Sequence, residues 1–162
     1  WLANVSGLPT FTSDLDPRFL AIARARCHNL HNIRIHEADS RDLLMGIYQE
    51  RAGQRGFFYL DAHWKRDVPR LDEIRYITDR WQEALIVVDD FQIPHDEGYG
   101  YAAYGGSPLN LDYLRELQSW EMFFPTAPSQ DETGARRGCL VVVSPLLPLD
   151  RALLDVLRPA SQ

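Results

Sequence analysis

Two apolar runs in this chain end on acids. FFYLDAHW (57–64) is apolar through Leu60 and then presents Asp61 and His63. ALIVVDDF (84–91) is apolar through Val88 and then presents Asp89 and Asp90. A carboxylate is costly to bury alone, so each acid is expected where its segment leaves the core. Asp61, Asp89 and Asp90 converge if the two segments are neighbours, and carboxylates sharing a pocket repel until a proton or a cation joins them. Mg²⁺ prefers oxygen ligands, and Asp61, Asp89 and Asp90 are its expected set. It would lower the pKa of a substrate hydroxyl and hold the resulting oxyanion. Adjacent strand residues point to opposite faces, so Asp89 and Asp90 can share one ion only if the strand has ended by Asp90. The alternative is a set of solvated or hydrogen-bonded acids. An unperturbed imidazole titrates near ~6.5, which makes a histidine at position 63 a candidate general base. Asp61 and His63 are therefore the candidate catalytic pair, with an ordinary surface histidine as the plainer reading.

The elements that must position these groups alternate. TFTSDL (10–15), IRIHEA (33–38), 57–61 and 84–88 read as strands. Asp16 followed by Pro17 is a helix start, and Phe19, Ala23, Cys27 and Leu30 give 17–30 an apolar stripe. Ser40 is expected to cap a second helix with Leu43, Leu44, Ile47 and Tyr48 on its apolar face, stopped by Gly53 and Gly56. Leu71, Ile74, Ile77 and Trp81 mark a third, and Leu111, Leu114 and Leu117 a fourth. EMFFPT and GCLVVVS close the pattern as strands, 149–158 reads as a last short helix, and the opening WLANVSGLP resembles the end of one.

This order predicts βαβ units and a mostly parallel sheet with helices on both faces. Strands 57–61 and 84–88 lack alternation, as expected of strands covered on both sides. Such sheets bind ligands at the carboxyl ends of their strands. Asp14 ends the first strand, where nucleotide-binding folds place a carboxylate on ribose hydroxyls. Asp39, beside Ala38 and Ser40, can accept from an adenine amino group. Asp14 can equally be a solvated strand-end acid, and Asp39 with Ser40 can simply cap a helix. HDEGYGYAAYGGSP (95–108) has the glycines and tyrosines of a lid, or of a long tyrosine-rich loop.

The 162 residues are 45% hydrophobic and 25% charged, which suits one compact domain. The net charge of −6 argues against nucleic acid, whose phosphates demand a basic face. No apolar run approaches the ~20 residues of a membrane span. Cys27 and Cys139 form no CxxC and read as reduced packing residues of a cytoplasmic protein. Cys27, His28, His31 and His36 match no ordinary zinc spacing.

TSDLDPRFLAIARAR resembles the second strand and helix of class I S-adenosylmethionine-dependent methyltransferases. EADSRDLL, FFYLDAHW and ALIVVDDF resemble the third, fourth and fifth strand segments, and EMFFPT with GCLVVVS the closing antiparallel pair. The resemblance implies a Rossmann-like domain over residues 1–162, with Asp14 on the cofactor ribose and Asp39 with Ala38 at the adenine. It implies Mg²⁺ on Asp61, Asp89 and Asp90, as in the metal-dependent small-molecule O-methyltransferases. The expected activity is methyl transfer to a small-molecule hydroxyl. The family's first strand and glycine-rich loop have no counterpart here, and residues 1–8 resemble the tail of the helix that follows them. The chain is therefore expected to be the C-terminal part of a larger domain. Without that loop it would bind cofactor poorly, and a non-catalytic interaction module that has lost it is the alternative.

Overall fold

Each stretch that the sequence marks as a strand leaving the core does end on its acid. A computed structural model of the chain describes residues 2–63, 67, 69–104, 106–117 and 119–160. Trp1, read as part of the first helix's tail, and Gly105, in the glycine-rich segment, lie outside the described residues. The chain divides into two compact units, Trp1–Arg51 and Ala52–Gln162.

The first unit holds α1 (Leu2–Ser6), β1 (Thr10–Asp14), α2 (Pro17–Arg26), β2 (Ile33–Glu37) and α3 (Ser40–Arg51). β1 and β2 pair in parallel, with Asp14 opposite Glu37. The connecting helix starts as expected. Asp16 takes an extended backbone and accepts the Arg18 N–H, and Pro17 fills the first helical position. The helix ends at Arg26, earlier than its apolar stripe implies, with Cys27 as its C-cap. Leu20 and Leu44 are the buried residues of α2 and α3. The Arg34 and Arg51 guanidinium groups lie 5.5 and 5.8 Å from the Phe11 ring centre.

The second unit holds β3 (Gly56–Leu60), α4 (Arg70–Arg80), β4 (Ala84–Val88), the short strands β5 (Ala103–Tyr104) and β6 (Ser107–Pro108), β7 (Glu121–Pro125), β8 (Leu140–Val143), α5 (Arg151–Leu154) and β9 (Leu157–Pro159). Five strands form a sheet in the order β3-β4-β8-β7-β9. β3 and β4 are parallel, and β8 enters antiparallel between β4 and β7. β3, β4 and β7 thus share one direction, against β8 and β9. The α/β class expected from the sequence holds.

Alternation along β4 builds two cores. Ala84, Ile86 and Val88 are fully buried on the face where α4 packs, and Phe58 meets Trp81 edge-on at 5.0 Å. On the other face Leu85 and Val87 pack against Phe123, Val141 and Val143, joined by Leu147, Leu149 and Leu157. That second face is covered by the chain after β8 rather than by a long helix.

Four local expectations are corrected. β3 is not covered on both sides: Phe57 and Tyr59 are more than half exposed. Gly56, expected to end a helix, opens β3 opposite Ala84. The stripe Leu111–Leu114–Leu117 gives only a 3₁₀ turn over Leu111–Leu114, capped by Asn110. The tail expected as one helix splits into α5 and β9, because β7 offers Phe123–Pro125 as a free antiparallel edge. Among the described residues no helix is long and apolar enough to cross a membrane.

Candidate functional site

In the first unit the parallel pairing sets Asp14 and the Ala38–Asp39–Ser40 turn at the carboxyl ends of neighbouring strands. Asp14 Oδ1 accepts the Asp16 N–H at 2.7 Å, and no donor among the described residues meets its other oxygen. Asp39, not Ser40, caps α3. Its Oδ1 accepts the Arg41 N–H at 2.9 Å, and Ser40 is already the first residue of the helix. Arg41 also grips both oxygens of Asp39, at 2.9 and 2.8 Å. That guanidinium contact, opposed in part by burial, holds the Asp39 carboxyl below its usual range. The expected adenosine contacts are thus unequal. Asp14 fits a ribose diol, whereas Asp39 is committed to its neighbour.

In the second unit β3 and β4 deliver Asp61, His63, Asp89 and Asp90 to one end of the sheet. Asp89 donates its N–H to the Leu60 carbonyl, the last rung of the β3–β4 ladder. The strand has ended by Asp90, whose φ of 57° turns the chain away. Asp and Asn tolerate this left-handed region better than most residues. The turn separates the two acids. One oxygen or nitrogen from each of Asp61, His63 and Asp90 lies within 4.8 Å of the others, a set with metal-ligand spacing. Asp89 is outside that set. Its charge reaches Tyr59: partial burial first, and then Asp89, raise the phenol pKa. Asp61 is raised as well, by burial and then by Asp89, against the pull of Arg70.

The cluster already contains two cations that the sequence reading did not anticipate. Arg70, fully buried at the start of α4, places Nη2 3.2 Å from Asp61 Oδ1 and 3.3 Å from Asp90 Oδ2. Its Nη1 donates to the Tyr104 hydroxyl at 3.0 Å. Arg137 Nε sits 2.5 Å from Asp90 Oδ1, so both oxygens of Asp90 are taken. A signal for Arg70 was present: residues 70, 74, 77 and 81 share one face of a helix, and the other three are apolar. Arg137 comes from a distant loop and left no local trace, whereas Tyr104, on β5, belongs to the tyrosine-rich segment already read as a lid.

The residues do not fit Mg²⁺ as expected. The third group with ligand spacing is an imidazole, whereas Mg²⁺ favours oxygen. Asp89 is outside the ligand-spaced set, and a guanidinium nitrogen already touches Asp61 and Asp90.

The segment 95–108 is stitched down. Tyr99 is buried and donates its hydroxyl to the Ala127 carbonyl. Gly100 exchanges backbone hydrogen bonds with Arg136 and Gly138, and Ala102 N–H reaches the Asp90 carbonyl. Tyr104 is the tyrosine of this segment that bonds to the cluster. Elsewhere in the unit a hollow of about 670 Å³ is lined by Leu111, Leu114, Trp120, Met122 and Leu154 among others, and by none of the acids above. A scan against protein-family models and a search of curated proteins returned no match.

Proposed function

We propose that this chain belongs to a Rossmann-like S-adenosylmethionine-dependent methyltransferase acting on a small-molecule hydroxyl. The observation that carries the reading is the gathering of acids at strand carboxyl ends: Asp14 and Asp39 after the parallel β1–β2 pair, and Asp61, Asp89 and Asp90 after the parallel β3–β4 pair. The antiparallel entry of β8 between β4 and β7 supports it, as the expected closing pair. β1 has no strand partner opposite β2, and β3 none opposite β4, among the described residues. Two free cysteines agree with a reducing, cytoplasmic setting.

When bound, S-adenosylmethionine supplies an electrophilic methyl group on a sulfonium. Asp14, with an oxygen to spare, is the residue that would hold its ribose, with the Ala38–Ser40 turn beside the base. His63, exposed and close to the Asp61 carboxylate, accepts the proton of the substrate hydroxyl, while Asp61 orients the ring and stabilises the imidazolium. Arg70 keeps Asp61 and Asp90 in place by bonding both. Holding the acceptor in line supplies much of the acceleration, up to ~7–11 kcal/mol in well-oriented systems.

The second reading, a non-catalytic interaction module, is favoured by one observation: Asp39, Asp61 and Asp90 all have arginine partners, as structural acids do. Calorimetric titration of S-adenosylmethionine into the full-length protein separates the two. Saturable binding that weakens in Asp14→Ala supports the enzyme. Absence of binding, with and without Mg²⁺, sinks it.

A further inference from the structure

The Arg70 guanidinium occupies a position where a cation is required. It is fully buried, and one nitrogen lies 3.2 Å from Asp61 and 3.3 Å from Asp90. Asp61, His63 and Asp90 are the group with metal-ligand spacing among the described residues, so this nitrogen touches two of the three would-be ligands. Arg137 takes the remaining oxygen of Asp90.

An arginine cannot shed its proton to make way for a metal. Nor can it leave cheaply, because a buried charge stripped of its partners is strongly destabilising. Its other terminal nitrogen is fastened to Tyr104 at 3.0 Å. A divalent ion entering the set would meet a fixed positive charge within hydrogen-bond distance of its own ligands. Two guanidinium groups also remove the reason for recruiting one, since they already neutralise charge that the acids would otherwise carry uncompensated.

We propose that Arg70 is the resident cation of this carboxylate cluster, in place of a divalent metal, and that Asp61 and His63 work as a guanidinium-braced, metal-free pair. This rests on the proposed methyl transfer only for the proton that His63 accepts; the cation preference is independent of it.

The test is Mn²⁺ binding to the full chain, followed by the electron paramagnetic resonance of free Mn²⁺, with Mg²⁺ competition. Wild type is expected to show no saturable binding tighter than about 1 mM, weaker than dedicated oxygen-ligand sites. Arg70→Gln, which leaves Asp61 without its guanidinium and Asp90 with Arg137 alone, is expected to bind Mn²⁺ at least tenfold more tightly, and a further Asp61→Asn change to erase the gain. Arg137→Gln, whose side chain is half-exposed, is expected to give a smaller tightening through Asp90. Stoichiometric micromolar binding to wild type that disappears in Asp61→Asn overturns the proposal. So does a folded Arg70→Gln protein, checked by circular dichroism, that binds Mn²⁺ no better than wild type. If Arg70→Gln does not fold, the wild-type and Arg137→Gln titrations decide alone. Failure to bind S-adenosylmethionine would leave these results unaffected and would count only against the methyltransferase reading.

Discussion

Arg70 Nη1 and the Tyr104 hydroxyl meet at 3.0 Å across 34 residues of sequence. The bond ties the first turn of α4 to the β5–β6 hairpin, and so fixes one wall of the acid cluster to the segment that follows the Asp89–Asp90 pair. Because Arg70 is fully buried, its Nη1 has no water to turn to if the hydroxyl is removed. Tyr104→Phe is therefore expected to cost about 1–3 kcal/mol, the range for a buried donor left without an acceptor. Urea denaturation measures it. A loss below a few tenths of that would mean that Arg70 finds another acceptor and that the hairpin is not held through it.

How much of this was legible in the sequence depends on whether a feature is local. The four core strands, the Asp16–Pro17 helix start and the acids at the strand ends follow from short-range patterns, and the structure keeps each of them. β9 was missed because Leu157–Pro159 is a strand only by virtue of the β7 edge beside it. β3 read as covered on both sides because Phe57 and Tyr59 are apolar, yet what covers a residue is a tertiary fact. The metal set was read from three carboxylates without their counter-charges. Arg70 stood on the α4 stripe in plain view, but a stripe position does not say which acids a guanidinium will reach.

Asp96 makes the second testable staple. Its carboxylate accepts the Ser129 N–H at 2.8 Å, the Ser129 hydroxyl at 2.5 Å and the Gly98 N–H at 3.1 Å. These bonds, the Ser129 hydroxyl first, hold the Asp96 carboxyl below its usual range. A carboxyl lowered in the folded state contributes stability that is complete above its unfolded value, about 3.9, and is lost as pH falls through the folded value. Asp96→Asn keeps the shape but replaces one acceptor by a donor. Its Tm should fall below that of wild type at pH 7, and the gap should narrow as both are acidified below about pH 4. An equal gap at pH 7 and pH 3 would show that the charge is not what matters.

At Gly138 the backbone passes close to its neighbours. It accepts the Phe91 N–H and donates to the Gly100 carbonyl. A Cβ there would run into the Phe91 carbonyl oxygen and the Ile93 side chain. The carbonyl cannot swing aside without breaking the link between the chain after β4 and the approach to β8. Gly138→Ala is expected to destabilise by about 1–3 kcal/mol, the cost of overpacking a filled interior. Gly134→Ala, where nothing lies within reach of the added carbon, serves as the control. Thermal melts of the pair should separate clearly, and coincidence would show that the chain at Phe91 yields.

Cys139 and Cys27 carry the same thiol in different surroundings. Burial first, then the charges of Asp89 and Glu132, push the Cys139 thiol up to about 11. The thiolate is the nucleophile, so at pH 8 almost none of Cys139 is in reactive form. Its alkylation by iodoacetamide should be slow and should climb roughly tenfold per pH unit to about pH 10, without the levelling near ~8.5 expected of an ordinary thiol. Because Asp89 supplies the second contribution, Asp89→Asn should move the Cys139 profile to lower pH. Peptide mapping by mass spectrometry follows the two sites separately. A Cys139 profile that levels below pH 9, or one indifferent to Asp89→Asn, would place the thiol out of reach of the acids at the end of β4.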